Sequence, residues 1–399
     1  MLADEPVVTT DIREILNQRA DKLLAHVEQG TTESAGGIFG VPSQSYTDPV
    51  AWGREVDVIF KRLPQLLAFS SEIPNPGDFK TLELVGVPVL VTRLADGRAR
   101  AFLNVCQHRG ARVATLATGN ARRFTCRYHG WTYANDGRLI GIADRANFGE
   151  PGCRLDLVEL ACVERAGMVF GVLTPGIDVD FDEFLGGMSD ELGRFDLGNW
   201  QYLTQHELTG ANWKVAYDGY LENYHFRTLH AETLAPRSVS GVMTFTGYGP
   251  HFCMGLAGRA VLDLKSVPPQ QRWSKEPDSF RVLHLVFPNL AGTFSYGVGQ
   301  VAQVLPGPTW DTNRTLLHHL VPKAPASDAE RAQLMEVSCW LRDVVRDEDY
   351  SMGVQVQEGL IAGGIRTVLF GRNERGNHHF HKWVAHLLEG GALAEGPRF

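Results

Sequence analysis

Four residues between Asn104 and Tyr133 carry the clearest chemistry in the sequence. Cys106 and His108 stand two apart, Cys126 and His129 stand three apart, and seventeen residues separate the pairs. Thiolates are soft ligands suited to iron–sulfur clusters or zinc. Replacing two cluster thiolates by neutral imidazoles on one iron raises the cluster potential and defines a Rieske [2Fe-2S] centre. Two loops, each offering one Cys and one His, can hold such a cluster from either side. Gly110 and Gly130 follow the ligand pairs and permit tight turns whose N–H groups can bond cluster sulfurs. Trp131 and Tyr133 are placed to shield the cluster from water. A Cys2His2 zinc site normally runs Cys-Cys then His-His, so the alternating order argues against zinc.

A second constellation lies in "NWKVAYDGYLENYHFRTLH", residues 212–230. His225 and His230 are five apart, preceded by Glu222 and Asp218. Two histidines and one carboxylate on one face leave positions open for dioxygen, the facial-triad logic of non-haem Fe(II). At about 100° per residue, His225 and His230 lie about 140° apart on a regular helix. The helix is therefore expected to bend, widen or end between them.

The elements that must position these groups differ along the chain. Residues 10–29 read as a helix from the recurrence of Ile12, Ile15, Leu16, Leu23 and Leu24, and 50–68 as a second helix broken near Pro64. Residues 78–172 alternate, are rich in Val, Leu and Thr, and turn at Asp96-Gly97 and Asp136-Gly137, the signature of a small all-β region. Residues 175–200 read as a connection with a short helix, and 201–230 as a strand passing into a helix. Strands recur over 239–264, 279–305 and 313–322. Residues 326–362 read as a long helical segment opened by the Ser327/Glu330 capping box. The expected fold class is α+β, with three segments: an N-terminal helical segment 1–45, a small all-β cluster domain 46–172, and a larger catalytic domain 173–399 with an antiparallel β-sheet flanked by helices, which resembles a helix-grip, START-like arrangement.

The bulk numbers narrow the function. A net charge of −8 argues against nucleic-acid binding. There is no apolar run of about 18 residues and no signal-peptide pattern at the acidic N-terminus, so a cytoplasmic protein with no membrane association is expected. Cys153, Cys162, Cys253 and Cys339 belong to no motif and read as plain thiols. The chain is far too long for a Rieske ferredoxin, which would also leave the second histidine pair without a role.

"CQHRGARV" and "CRYHGWTY" resemble the two cluster loops of the Rieske non-haem iron oxygenases, and the resemblance to their terminal-oxygenase α subunit, the aromatic-ring-hydroxylating dioxygenase family, extends over about residues 45–399. It implies a Rieske [2Fe-2S] cluster on Cys106, His108, Cys126 and His129, and a mononuclear non-haem Fe(II) on His225 and His230, which match the family's carboxylate-x-x-His-x-x-x-x-His motif. "VVRDEDYSMGVQVQEGL" resembles the family's Glu-Asp pair followed by Gln-x-Gly. That places the third iron ligand at Asp349, with Asp347 the alternative and Glu348 facing away. The resemblance further implies a homotrimer in which Glu222 bridges a cluster histidine of one subunit and an iron-ligand histidine of the next. Asp218 is expected to add a hydrogen bond near the site or to serve as a helix N-terminal charge. Many ring dihydroxylases of the family carry Asp at the position of Glu222; glutamate resembles members acting on non-aromatic substrates, including quaternary amines. The sequence shows no Gly-x-Gly-x-x-Gly nucleotide fingerprint, so a separate NAD(P)H-dependent reductase, with or without a ferredoxin, is implied. The expected activity is hydroxylation of a small aromatic or alicyclic substrate with O2, the alternative being monooxygenation or demethylation of a betaine-like quaternary amine. Tyr217, Tyr220, Phe226, Phe245, Phe252, Phe287 and Phe294 are candidate substrate-lining residues.

Overall fold

The computed structural model describes residues 10–149, 155–295 and 297–397; Cys153 lies outside them. The chain forms two compact units: Phe60–Phe184 with Asp196–Asn199, and the remainder.

In the smaller unit, short hydrophobic strands build three antiparallel sheets. One has five strands in the order Glu159–Leu160, Ala99–Leu103, Val87–Arg93, Asp78–Leu84, Thr118–Asn120. A three-stranded sheet runs Arg123–Thr125, Thr132–Ala134, Leu139–Gly141, and another joins Cys162–Arg165, Met168–Gly171 and Gln65–Phe69. Both Asp-Gly turns form as their sequence predicts. Gly97 and Gly137 adopt φ of +84° and +86°, which costs a residue without Cβ little. At Gly137 a Cβ would also lie 2.4 Å from the Phe102 ring, so no other residue fits. Phe79, Phe102, Phe124, Trp131 and Tyr133 form a core that also contains Cys106 and Cys126.

The larger unit is organised on a seven-stranded antiparallel sheet. Its spatial order is Gln201–Gly210, Asn313–Val321, Val298–Pro306, Leu290–Ser295, Phe280–Val286, His251–Gly258, Ser238–Tyr248. The helix Thr10–Gln29 packs on its edge strands, and the long helical segment predicted over 326–362 is present as Asp328–Val344, a wide π-helical turn Val345–Tyr350, and Ser351–Ile361. Its N-terminus is capped by Ser327, whose hydroxyl accepts from the Glu330 N–H at 3.2 Å, while Glu330 reaches back to the Ala326 N–H instead of the Ser327 N–H.

Three features depart from the expected elements. The predicted helix over 50–68 is Pro49–Glu55 with a π turn Val56–Phe60; after Pro64 the chain becomes the strand Gln65–Phe69. That strand is buried at every residue, and a short continuous apolar run carries no period to tell strand from helix. The segment 39–59 lies with the larger unit, so the units divide at Phe60 where 46 was expected. Phe39–Pro42 pairs with Thr367–Phe370, and buried Glu55 accepts from Trp213 Nε1 at 2.7 Å and ion-pairs with Lys214. The helix Arg375–Leu388, which reaches Asp218 through Asn377 and His381, was not anticipated.

Candidate metal centres and active site

In the smaller unit the two Cys-His loops close in the same way. The Cys106 N–H donates to Ala111 O at 2.7 Å and the Gly110 N–H to Cys106 O at 2.9 Å; the Cys126 N–H donates to Trp131 O at 2.8 Å and the Gly130 N–H to Cys126 O at 2.9 Å. Gly110 and Gly130 hold φ of +79° and +71°, so each loop turns back on a residue that tolerates the left-handed region. The His108 and His129 rings come within 4.5 Å of each other, and His108 stacks on buried Trp131 at 4.9 Å. Tyr133 is fully buried, and its hydroxyl accepts from the Gln107 N–H at 3.0 Å and sits 3.5 Å from Cys106 Sγ. His108 Nδ1 is buried and has no hydrogen-bond partner among the described residues. Such a nitrogen is costly unless a ligand takes its lone pair. Two buried thiols, two adjacent imidazoles and this orphaned nitrogen fit a Rieske cluster.

In the larger unit the helix Trp213–Asp218 ends before either histidine, earlier than the break expected between them, and no regular helix runs through both. His225 lies on a 3₁₀ turn, Tyr224–Arg227, and His230 follows it. Asp349 projects from the π turn Val345–Tyr350; the wider turn is a recurrent way to re-aim a side chain at a functional site. One donor atom from each of His225, His230 and Asp349 lies within 4.8 Å of the others. Asp349 Oδ1 is 3.0 Å from His230 Nε2 and 3.5 Å from His225 Nε2.

Each imidazole is held from behind by its own carboxylate. Glu222 engages His225 Nδ1, and Glu348 Oε2 lies 2.5 Å from His230 Nδ1. Both rings therefore present Nε2 to the same point, the orientation a metal requires. This corrects one expectation: Glu348 does not face away. It also accepts from Thr233 Oγ1 at 2.9 Å, because the π turn brings consecutive carboxylates onto the histidine side. Asp347 is the residue that faces away, in a two-point pair with Arg346 at 2.6 and 2.7 Å.

Burial pushes the His225 pKa down, but hydrogen bonds and charge from Asp349 and Glu222 outweigh it and lift the value to about 9. Burial would raise the Asp349 carboxyl, yet both imidazoles hold it below its ordinary value. Such a concentration of donors and negative charge suits a cation.

Asp218 lies at the C-terminal end of its helix, so it is no N-terminal charge. It accepts from the Tyr46 hydroxyl at 2.8 Å, lies 2.8 Å from His381 Nε2, and is reached by Asn377. It braces the turn that leads to Glu222. Gln357, from the Gln-x-Gly stretch, accepts from the Asn212 N–H at 3.2 Å. Asn212 in turn caps the helix Trp213–Asp218 by accepting from the Lys214 N–H at 2.8 Å. The Asp349 segment is thereby tied to the histidine segment.

Glu222, His225 and Asp349 line two openings. One is a cavity of about 160 Å³ walled by the sheet, with Tyr220, Phe226 and Arg281. The other is a groove of about 250 Å³ that includes Asp218, Met352 and Val356. Of the seven aromatic candidates, Tyr220 and Phe226 line the cavity beside His225, His230 and Asp349. Phe245 faces a different cavity, beside Arg375 and Trp383. Tyr217, Phe252 and Phe287 are buried in the core, and Phe294 packs on Phe195 and Trp200. Arg281 was not anticipated as a lining residue; its signal in the sequence was a charge inside a strand that is apolar apart from it and His284. Cys162, Cys253 and Cys339 are free thiols, and burial pushes that of Cys162 up to about 11.

Comparison with known proteins agrees with both centres. The Rieske [2Fe-2S] domain family matches residues 64–159, and the ring-hydroxylating α-subunit catalytic domain matches residues 197–390. The glycine betaine monooxygenase oxygenase subunit of Chromohalobacter salexigens is 26% identical, over 90% of this chain and 88% of that protein. The anthranilate 1,2-dioxygenase large subunit of Acinetobacter baylyi is 30% identical over 49% of this chain and 43% of its own. The crystal structure of the quaternary ammonium Rieske monooxygenase CntA with L-carnitine shares the fold, with a TM-score of 0.74 at 22% identity, covering 93% of this chain and 98% of that one. The chain belongs to the α subunits of the Rieske non-haem iron oxygenases, oxidoreductases built around a Rieske [2Fe-2S] cluster and a mononuclear iron.

Proposed function

We propose that the protein is a terminal oxygenase that receives electrons from a separate NAD(P)H-dependent reductase and hydroxylates a small organic substrate in the cavity beside Asp349. The observation that carries this reading is the convergence of His225 Nε2, His230 Nε2 and Asp349 on one point in the wall of that cavity. Cys106, His108, Cys126 and His129 would hold the cluster, and His225, His230 and Asp349 the iron. When bound, the two centres supply electron transfer and dioxygen activation. The chain's own residues do the rest. Glu222 and Glu348 fix the tautomer and aim of the two imidazoles. The cavity, at about 160 Å³, is below the roughly 300 Å³ lower end for drug-sized ligands, so the substrate is small.

The groove on the other side of Glu222 supports a homotrimer. Met352 and Val356 on its wall are 42% and 44% exposed, and an exposed apolar rim suits a second copy. Glu222 is then reachable by a cluster histidine of that copy, and Glu222 is the bridge for the electron. The whole-length relative named for glycine betaine and the half-length relative named for anthranilate support a betaine-like and an aromatic substrate respectively.

The test is on anaerobically purified protein: iron and acid-labile sulfide per chain, with the EPR spectrum before and after reduction. About three irons and two sulfides with a rhombic signal on reduction are expected. Zinc with no reducible signal would overturn the reading.

A further inference from the structure

We infer that the cavity beside Arg375 and Trp383 is a second ligand site, apart from the His225–His230–Asp349 triad, and that it takes a small carboxylate with a flat apolar body. Its occupancy depends on neither candidate metal centre.

The cavity has a volume of about 770 Å³ and lies between residues 34–39, the end of the strand Ser238–Tyr248 and the helix Arg375–Leu388. That volume is within the range of roughly 300–1,000 Å³ common for ligand pockets. The cavity shares no described lining residue with the cavity beside Asp349 or with the groove beside Glu222. Arg375 supplies its charge. The guanidinium lies 4.5 Å from the centre of the Phe245 ring and, among the described residues, makes no hydrogen bond or ion pair. Stacking occupies the face of a guanidinium and leaves its in-plane N–H edge open, the edge that matches a carboxylate. No described residue of the wall is acidic. The two carboxylates that flank the wall in sequence are turned elsewhere. Glu374 lines the groove beside Glu222 and accepts from the Gly371 N–H at 2.5 Å. Glu33 accepts from the Phe245 N–H and pairs with Lys22 at 3.1 Å. Lys382 and His379 are engaged by other groups. Burial lowers His379 to about 4 and keeps His378 below its ordinary value, so both imidazoles are neutral near pH 7. Arg375 is therefore the open cation of the wall.

Trp383 supplies an independent second donor. The residue is 2% exposed, and its ring lies beside those of His379 and His386. Its Nε1 is buried and has no hydrogen-bond partner among the described residues. A buried N–H without an acceptor is costly, and an oxygen of a ligand in the cavity that Trp383 lines would satisfy it. Phe39 and Phe245 add flat apolar walls. An open guanidinium and an unsatisfied N–H both ask for an oxyanion. One open cation suits a monoanion, which a carboxylate is, and the aromatic walls suit a flat carbon skeleton. A cationic ligand is repelled by Arg375, and a neutral one forgoes the charge-assisted bond.

The experiment titrates the holoenzyme calorimetrically with 2-naphthoate and, as its uncharged match, 2-naphthamide. The acid is expected to bind about 10- to 100-fold more tightly than the amide. Arg375→Gln should erase that difference, and Arg375→Lys should keep part of it, because the charge remains and the fork is lost. Trp383→Phe keeps an aromatic ring and removes the N–H, and should weaken the acid about 3- to 10-fold. His225→Ala should leave the preference intact, since His225 lines a different cavity. Cluster absorbance and thermal unfolding report that each variant is folded. Labelling of Arg375 by phenylglyoxal, mapped by mass spectrometry, needs no variant, and 2-naphthoate should slow it. No acid binding, equal binding of the pair, a preference that survives Arg375→Gln or vanishes in His225→Ala, or labelling that the acid does not slow would overturn the inference. A cavity filled by a second copy of the chain would show neither binding nor labelling, and would overturn it as well. A chain without iron or a reducible cluster would instead break the oxygenase reading, and the titration distinguishes the two because it reads binding at a site remote from both centres.

Discussion

The two Cys-His loops and the His225–His230–Asp349 triad solve one problem, bringing two histidines together, with different materials. Each cluster loop is local. Its Cys, His and Gly lie within five residues of one another, and the loop closes with its own backbone hydrogen bonds. The iron site is assembled across the chain. Asp349 meets His230 across 119 positions, each histidine needs its own carboxylate, and Gln357 must tie the two segments together. A local loop depends on backbone conformation; a distributed site depends on side chains that position other side chains.

The sharpest way to break this comparison is to remove one centre and ask whether the other survives. His225→Ala is expected to lose the mononuclear iron and all product formation while keeping the visible and EPR signals of the cluster. Cys126→Ser should do the reverse, abolishing those signals but retaining about one iron per chain, since the triad lies in the other compact unit. Loss of both centres from either change would show that the two regions are not independently built.

The next effect in size compares the two carboxylates behind the histidines. Glu348→Gln should weaken iron retention about 10- to 100-fold, measured by competition with a chelator, because it acts only through His230. Glu222→Gln removes the same support from His225 but also alters the group shared by cavity and groove. Iron retention should fall similarly, and with iron restored to saturation the Glu222 variant should still turn over slowly while the Glu348 variant recovers. Full recovery of both would remove the bridge role from Glu222. Gln357→Ala should cost about 1–2 kcal/mol in denaturant unfolding, because it leaves the buried Asn212 N–H unpaired.

The same contrast explains what was legible in the sequence. The two Cys-His pairs and the glycines that turn their loops could be read from spacing alone, because local geometry is written locally. His225 and His230 were legible as a pair, and the absence of one regular helix through both followed from their angular mismatch. Glu348 was misread because an ordinary helix sends neighbouring residues apart, and nothing in "RDEDY" announces a π turn. Arg281 was missed because strand alternation shows which residues share a face but not which cavity that face closes. The strand Gln65–Phe69 was hidden in a continuous apolar run, and the pairing of Phe39–Pro42 with Thr367–Phe370 joins segments too distant for any periodic signal.

The smallest effect tests whether the two cluster loops are as equivalent as their hydrogen bonds indicate. Gly110 and Gly130 both hold the left-handed region, so alanine at either should cost about 1–2 kcal/mol in backbone strain. Their surroundings differ. Among the described residues a Cβ at Gly110 would meet nothing within 4 Å, whereas one at Gly130 would lie 3.4 Å from the Ala143 Cβ, an ordinary contact. Space therefore adds little at either position, and strain alone predicts nearly equal losses for Gly110→Ala and Gly130→Ala. Thermal unfolding followed at the cluster absorbance band measures both. Equal shifts would mean the loops are interchangeable clamps. A larger loss at Gly130 would mean that the second loop, which carries exposed Tyr128 beside His129, has a tighter conformational demand than its backbone bonds alone impose.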